Sequence, residues 1–253
     1  MFAGAMKDNT AASRLILDNV SHRYGAVSVL HNLNIVVNPG EVLVLVGPSG
    51  CGKTTILNLL SGHIEPVSGS VQRAGVIRTV YQDDGLFPWL TVSENIAIGL
   101  RAVEDPTRRN KELRELLNLI HLEGFEDHYP HQLSGGMRQR VELARVLAGD
   151  SDILLMDEPF SALDYQARLR MRRELVRLLE LRPRTVVFVT HDIEEASQLA
   201  DRVLVLSNRP ATICRELHIA SPRPRNLTDE AVIEAMKEIL KELGLHTPDN
   251  GQV

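Results

Sequence analysis

Residues 47 to 55 constrain this chain more than any others. They read Gly-Pro-Ser-Gly-Cys-Gly-Lys-Thr-Thr: a glycine, four residues, then Gly-Lys-Thr, the spacing of a P-loop. Glycines at 47, 50 and 52 let the backbone curl so that successive N–H groups point inward at phosphate oxygens. Gly47, Pro48, Ser49, Gly50, Cys51, Gly52, Lys53, Thr54 and Thr55 therefore form a candidate phosphate cradle. Lys53 supplies a compact positive charge, and the Thr54 hydroxyl is placed to ligate a divalent cation. The flanks agree. Glu41-Val-Leu-Val-Leu-Val46 is apolar enough for a buried parallel strand. Thr54-Thr-Ile-Leu-Asn-Leu-Leu60 predicts a helix whose N-terminus adds the positive end of a dipole.

A chain of 253 residues, 43% hydrophobic, has room for one large domain or two small ones with a real core. A net charge of −5 points away from bulk nucleic-acid binding. Two cysteines, Cys51 and Cys214, read as reduced thiols of a cytosolic protein. Cys51, among inward-pointing amides beside Lys53, is expected to favour the thiolate. Met1-Phe-Ala-Gly-Ala-Met-Lys-Asp8 has neither the basic start nor the long apolar stretch of a signal peptide. No apolar run approaches the ~20 residues that span a bilayer. A soluble protein that meets the membrane through a partner is the expectation.

Along the chain, Leu15-Ile-Leu17 and the alternation of Leu33, Ile35 and Val37 predict early strands, and Asn38-Pro-Gly40 predicts a turn into the P-loop strand. Further strands are expected at 76–81, 153–156, 185–190 and 203–206. Residues 83 to 150 look helical, especially 108–122 and 137–147, and helices are expected at about 165–181 and 193–200. Strand–helix alternation implies a parallel sheet with a helical segment inserted. Residues 221 to 226, Ser-Pro-Arg-Pro-Arg-Asn, break the chain before an amphipathic helix carrying Val232, Met236, Ile239, Leu240 and Leu243, with Thr228 as its N-cap. The expected division is 14–82 and 153–220 for the core, 83–152 for the helical insertion and 221–253 for a tail.

Ile153-Leu-Leu-Met-Asp-Glu-Pro159 reads as a buried strand ending in two carboxylates. Ligands of parallel sheets sit at the carboxyl ends of the strands. Asp157 should thus lie beside the P-loop, where it can orient the shell of a Mg²⁺ ion, and Glu158 can activate a water. By itself the motif also suits a strand that ends in solvated acids. Leu133-Ser-Gly-Gly-Met-Arg-Gln139 offers a second anion site, with Ser134, Gly135 and Gly136 opening a helix. Two phosphate-binding helix ends in one chain suggest two chains that share nucleotides.

The P-loop, Gln82, Leu133-Ser-Gly-Gly136, Met156-Asp-Glu-Pro159, Ser161-Ala-Leu-Asp164 and His191, in this order, resemble the ATP-binding subunit of ABC transporters over roughly residues 15 to 220. The resemblance implies an α/β fold of the P-loop NTPase (RecA-like) type: a parallel sheet core, an antiparallel β portion and an inserted helical subdomain. It implies a head-to-tail homodimer, with ATP between one P-loop and the partner's signature motif. Tyr24 would stack on adenine. Thr54, Gln82 and Asp157 would hold Mg²⁺, Gln82 also sensing the γ-phosphate. Asp164 would touch the opposite P-loop, and His191 would contact the γ-phosphate and support Glu158 as base.

Leu86-Phe-Pro-Trp-Leu-Thr-Val92, Gly135-Gly-Met-Arg-Gln139 and Ser221-Pro-Arg-Pro-Arg225 are similar to the nitrate, sulfonate and taurine branch of bacterial importers. In that branch the region after Gln82 receives a helix of an integral-membrane permease, which a periplasmic solute-binding protein supplies. The subunit itself would be cytoplasmic, on the inner face of the membrane. Phe87 and Trp89 are the expected docking residues, with a core role for Trp89 as the alternative. Two features depart from the branch: a short segment from Val67 to Val80, and Gly149-Asp-Ser151 where a proline is usual. A non-transport ABC ATPase acting on nucleic acid or ribosomes is the rival class. Against it stand the single cassette and the lack of a long coiled coil between Gln82 and Ser134.

Overall fold

A computed structural model of the chain describes residues 14–81 and 85–245. A three-stranded antiparallel sheet holds β1 (Leu15–Tyr24), β2 (Val27–Val37) and β4 (Ser68–Arg73), in the order β2-β1-β4. A six-stranded sheet runs β5-β6-β7-β3-β8-β9, built from β5 (Ile77–Val80), β6 (Ile153–Asp157), β7 (Thr185–Val189), β3 (Val42–Val46), β8 (Arg202–Leu206) and β9 (Ile213–His218). Its first five strands are parallel and β9 closes the edge antiparallel.

Side chains of a strand alternate between faces, and β3 uses both. Val42, Val44 and Val46 enter one core, which holds α4 (Gly135–Ala148) and α5 (Tyr165–Leu181). Leu43 and Leu45 enter the other, shared with α1 (Lys53–Ser61) and the inner face of the three-stranded sheet: Leu15, Leu17, Leu33, Ile35 and Val37. With every residue of β3 buried, its run of apolar side chains is what a doubly covered strand requires.

Between β5 and β6 stand α2 (Val92–Gly99), α3 (Pro106–Leu119) and α4. α2 begins with a capping box, Thr91 and Glu94 each bonding the other's backbone N–H. Gly99 packs against the backbone of Arg145, a close approach that a side chain would block. Beyond β7, α6 (Ile193–Leu199) leads to β8. After β9 the chain reaches α7 (Glu230–Glu242), which buries Val232, Ala235 and Ile239.

The cap of α7 differs from expectation. It is Asp229, not Thr228, and its carboxylate accepts from Asn226 N at 2.7 Å, turning the chain before the helix. The Ser-Pro-Arg-Pro-Arg stretch works as a structural clasp. Arg225 donates to the carbonyls of Ala200, Ile219 and Ser221, satisfying groups at the end of α6. Arg223 adds bonds to Leu199 O and Asp201.

Candidate functional site: a nucleotide cleft at the carboxyl ends of three strands

Strand register brings the chemistry together. Leu45 of β3 and Asp157 of β6 both pair with Val189 of β7, so three strands end in one row. Beyond that row lie the P-loop, Glu158 and His191. They line a cleft of about 460 Å³ with Tyr24, Ser49, Gly50, Gly52, Lys53, Thr54, Thr55, Asp157 and Arg209.

Gly52 sits at φ 126°, and a Cβ there would meet Leu30 and Val29 of β2 at 2.8 and 2.9 Å. Only glycine takes this backbone and this approach. Lys53 is buried, and its Nζ donates to Gly47 O at 2.8 Å and Pro48 O at 2.9 Å. Gly47 and Pro48 thus serve the cradle through their carbonyls and do not line the cleft themselves.

Burial pushes the Asp157 carboxyl up, against the opposing pull of a hydrogen bond from the Thr54 hydroxyl and the charge of Lys53. Hydroxyl and carboxylate side by side make the oxygen-rich donor pair that Mg²⁺ prefers. Among the described residues there is no group of three or more His, Cys, Asp or Glu side chains able to hold a metal.

Glu158 occupies φ 47°, an uncommon conformation for a non-glycine residue and one that recurs at functional sites. Its N–H donates to Val189 O at 2.9 Å and its carbonyl accepts from Gln139 Nε2 at 3.2 Å. Gln139 of α4 also bonds Ser161 Oγ and the N–H of Ala162. The Glu158 carboxylate lies 3.1 Å from His191 Nδ1. His191 is exposed, but its flanks are fixed: Thr190 Oγ1 donates to Glu195 at 2.6 Å, and Asp192 receives Arg168 at 2.8 Å and Arg172 at 2.6 Å. Burial opposes the Asp192 charge, yet Arg172, the Glu195 N–H and Arg168 together hold its carboxyl below the usual range.

The thiolate expectation for Cys51 is corrected. Its side chain is 2% exposed and packs into the apolar core with Leu57 and Leu206, away from the cleft. Burial raises its pKa, outweighing Lys53 and the loop amides. Gln82 lies outside the described residues.

Ser134, Gly135, Gly136 and Asp164 do not line this cleft. The Ser134 hydroxyl caps α4 through Met137 N at 3.2 Å, and Asp164 caps α5 through Ala167 N at 2.9 Å. Phe87 and Trp89 project outward with rings 5.4 Å apart, Trp89 being 68% exposed. A core role for Trp89 is therefore excluded. Buried Asn95 holds their loop, donating to Phe87 O, Leu90 O and Thr91 O and accepting from Phe87 N at 2.9 Å.

The glycine-rich loop at a helix N-terminus, with a lysine and a strand-end carboxylate beside it, defines a P-loop nucleotide-binding protein. The ABC transporter family profile matches residues 30–161, just over half of the chain. The chain is 43% identical over 242 residues to the aliphatic sulfonates import ATP-binding protein SsuB 1 of Rhodococcus jostii, covering 93% of this chain and 95% of that one. It is 42% identical over 202 residues to the taurine import ATP-binding protein TauB of Pelagibacter ubique, covering 76% of each. A solved dimeric ATP-binding cassette, in a post-hydrolysis state with ADP and Pi, superimposes with a TM-score of 0.72 at 32% identity, covering 82% of this chain and all of that one. This chain belongs to the ABC transporter family, as an ATP-binding, ATP-hydrolysing subunit.

Proposed function

We propose that this subunit drives a bacterial importer for a small sulfonate such as taurine or an alkanesulfonate, hydrolysing Mg-ATP between two head-to-tail copies of itself. The observation that carries the catalytic part is the Glu158–His191 pair beside Thr54, Asp157 and Lys53 in one cleft. The solute assignment rests on the relatives named above.

In this reading Tyr24 stacks on the adenine, and the loop N–H groups from Ser49 to Thr55 receive the phosphates with Lys53. Thr54 and Asp157 would hold Mg²⁺, with Gln82 joining them. The ion's contribution is to neutralise phosphate charge as it develops. Glu158 accepts the proton of the attacking water, and His191 orients that carboxylate and reaches the γ-phosphate. Little covalent work falls to the protein, because phosphoryl transfer is mostly positioning and electrostatics. Ser134, Gly135 and Gly136 of each chain meet the nucleotide held by the other, and Asp164 touches the opposite P-loop. Their helix-capping bonds pre-set those positions.

Transport requires a permease, and the Phe87–Trp89 edge is the proposed seat for one of its helices on the cytoplasmic side of the membrane. Two exposed aromatics on a loop locked by a buried asparagine suit an interface, where Trp is enriched among the energetic anchors. A periplasmic solute-binding protein would select the cargo. Among the described residues no helix is long and apolar enough to cross a membrane, so the spanning part falls to the partner.

The test is reconstitution with the permease and binding protein in proteoliposomes. ATP-dependent uptake of taurine or an alkanesulfonate, abolished by Glu158→Gln, is expected. Uptake of nitrate alone would overturn the sulfonate assignment, and phosphate release unaffected by Glu158→Gln would overturn the catalytic one.

A further inference from the structure

Arg209 belongs to no motif in the sequence, yet it lines the nucleotide cleft. It sits in the turn between β8 and β9, and one of its guanidinium nitrogens lies 3.7 Å from where a Cβ on Gly50 would stand. Among the described residues Arg209 has no hydrogen-bond or ion-pair partner.

Its turn is fastened more firmly than a surface turn needs. Ser207 N donates to Thr212 O at 3.0 Å, and Thr212 N donates to Ser207 Oγ at 2.9 Å. Ala211 N donates to Val29 O at 2.7 Å, while His31 N donates to Ala211 O at 3.1 Å. Val29 in turn abuts Gly52 of the P-loop. The turn is therefore tied to β2 against the loop itself, and it fixes the backbone from which the Arg209 side chain reaches the cleft.

Donor counting argues the same way. A lysine ammonium has three N–H donors. Two of those on Lys53 are committed to Gly47 O and Pro48 O, leaving one for a phosphate. A guanidinium offers five donors in a planar fork suited to phosphate. Asp157 and Glu158 place two acids in the same cleft, so a polyanion entering it benefits from a second cation beside Lys53.

We propose that Arg209 is a nucleotide-binding residue whose guanidinium engages the polyphosphate of the bound nucleotide from the β8–β9 turn. The proposal rests on the reading of this cleft as the ATP site, and the experiment separates the two.

Binding of ATP, ADP and adenosine by the full-length protein is measured calorimetrically at low and high salt for wild type, Arg209→Ala, Arg209→Lys, Arg209→Gln and Lys53→Ala. Arg209→Ala and Arg209→Gln should weaken ATP roughly tenfold, the low end for a charge-assisted bond at an exposed site, and ADP by less or equally. Adenosine should be unchanged, the ATP deficit should shrink at high salt, and Arg209→Lys should restore part of it. The turn's own bonds come from Ser207, Ala211 and Thr212, so melting temperatures should match wild type; Arg209→Gln serves if Arg209→Ala proves unstable. Wild-type ATP affinity in both neutral variants, with Lys53→Ala impaired, would refute the role of Arg209 and leave the site assignment standing. Equal losses for ATP and adenosine would also refute it, pointing to support of the turn. Failure of the wild type to bind ATP would remove the site assignment and this inference together.

Discussion

Glu158 Oε1 and His191 Nδ1 lie 3.1 Å apart, although they are distant in the chain and only the β6–β7 pairing brings them together. This contact makes Glu158 the residue to alter first. Glu158→Gln keeps shape and hydrogen bonding but cannot accept a proton. ATP binding should persist while steady-state phosphate release falls roughly 10²-fold or more. The variant should run as a nucleotide-bound dimer on gel filtration. Turnover at the wild-type rate would show that another group is the base.

Lys53→Ala removes the ammonium that also ties Gly47 O and Pro48 O together. ATP affinity should drop on the order of ten- to a hundredfold. Titration of the variant with ATP at physiological salt checks this, and near-normal binding would contradict the assignment of the loop.

The two cysteines should separate cleanly in a labelling experiment. Cys214 is exposed, whereas Cys51 is buried with its thiol pKa raised. A maleimide at neutral pH should label Cys214 rapidly and Cys51 only after denaturation. Mass spectrometry of the digested protein reads both sites at once. Fast modification of Cys51 in the native protein would mean that its side chain faces the solvent-filled cleft.

Trp89→Ala should cost little stability, within about 0.5 kcal/mol, because an exposed ring gives up little packing when removed. Basal ATPase should stay near wild type. Permease capture and solute uptake should fall. Normal assembly and uptake would remove Trp89 from the docking surface.

Arg172 is buried among Asp192, Glu194 and Glu195. Arg172→Met leaves those carboxylates without their main cation and should cost roughly 3–5 kcal/mol at pH 7. The sign of the pH dependence follows from Asp192, whose folded pKa is depressed. Its contribution is present above the unfolded pKa of about 3.9 and disappears as pH falls through the folded value. Burial pushes the Glu195 carboxyl up, so the gap in melting temperature between wild type and variant should be full near pH 7, begin to narrow as Glu195 takes up its proton, and close further below about pH 4 as Asp192 follows. A gap that widens on acidification would contradict this.

Much of this architecture is legible in sequence because buried strands announce themselves. The runs at 42–46, 153–157, 185–189 and 202–206 are fully buried, and their apolar character carries four of the five parallel strands. β4 and β9 escape the same pattern. Ser-Gly-Ser-Val-Gln-Arg and Ile-Cys-Arg-Glu-Leu-His are largely exposed edge strands, held by backbone pairing with little apolar signal. The P-loop, Asp157, Glu158 and His191 stand out because each follows a buried strand. Arg209 does not, since it reaches the cleft from a turn that no local spacing marks, and the bonds of Gln139 to Glu158 and Ala162 cross the fold. Cys51 misleads for a related reason: the loop's sequence sets its neighbours along the chain, while the core beneath it decides where the thiol points.

Gln139 grips the carbonyl of Glu158 and the backbone at Ala162 from the helix that Ser134 opens. In the head-to-tail pair proposed above, that helix would start on the other copy's nucleotide, while one turn later it holds the backbone of Glu158, the proposed base. A displacement of Ser134 at one nucleotide would then reach Glu158 at the second through this one helix. Two sites wired in this way cannot bind as strangers: whatever factor nucleotide at one site imposes on affinity at the second, the second must impose on the first.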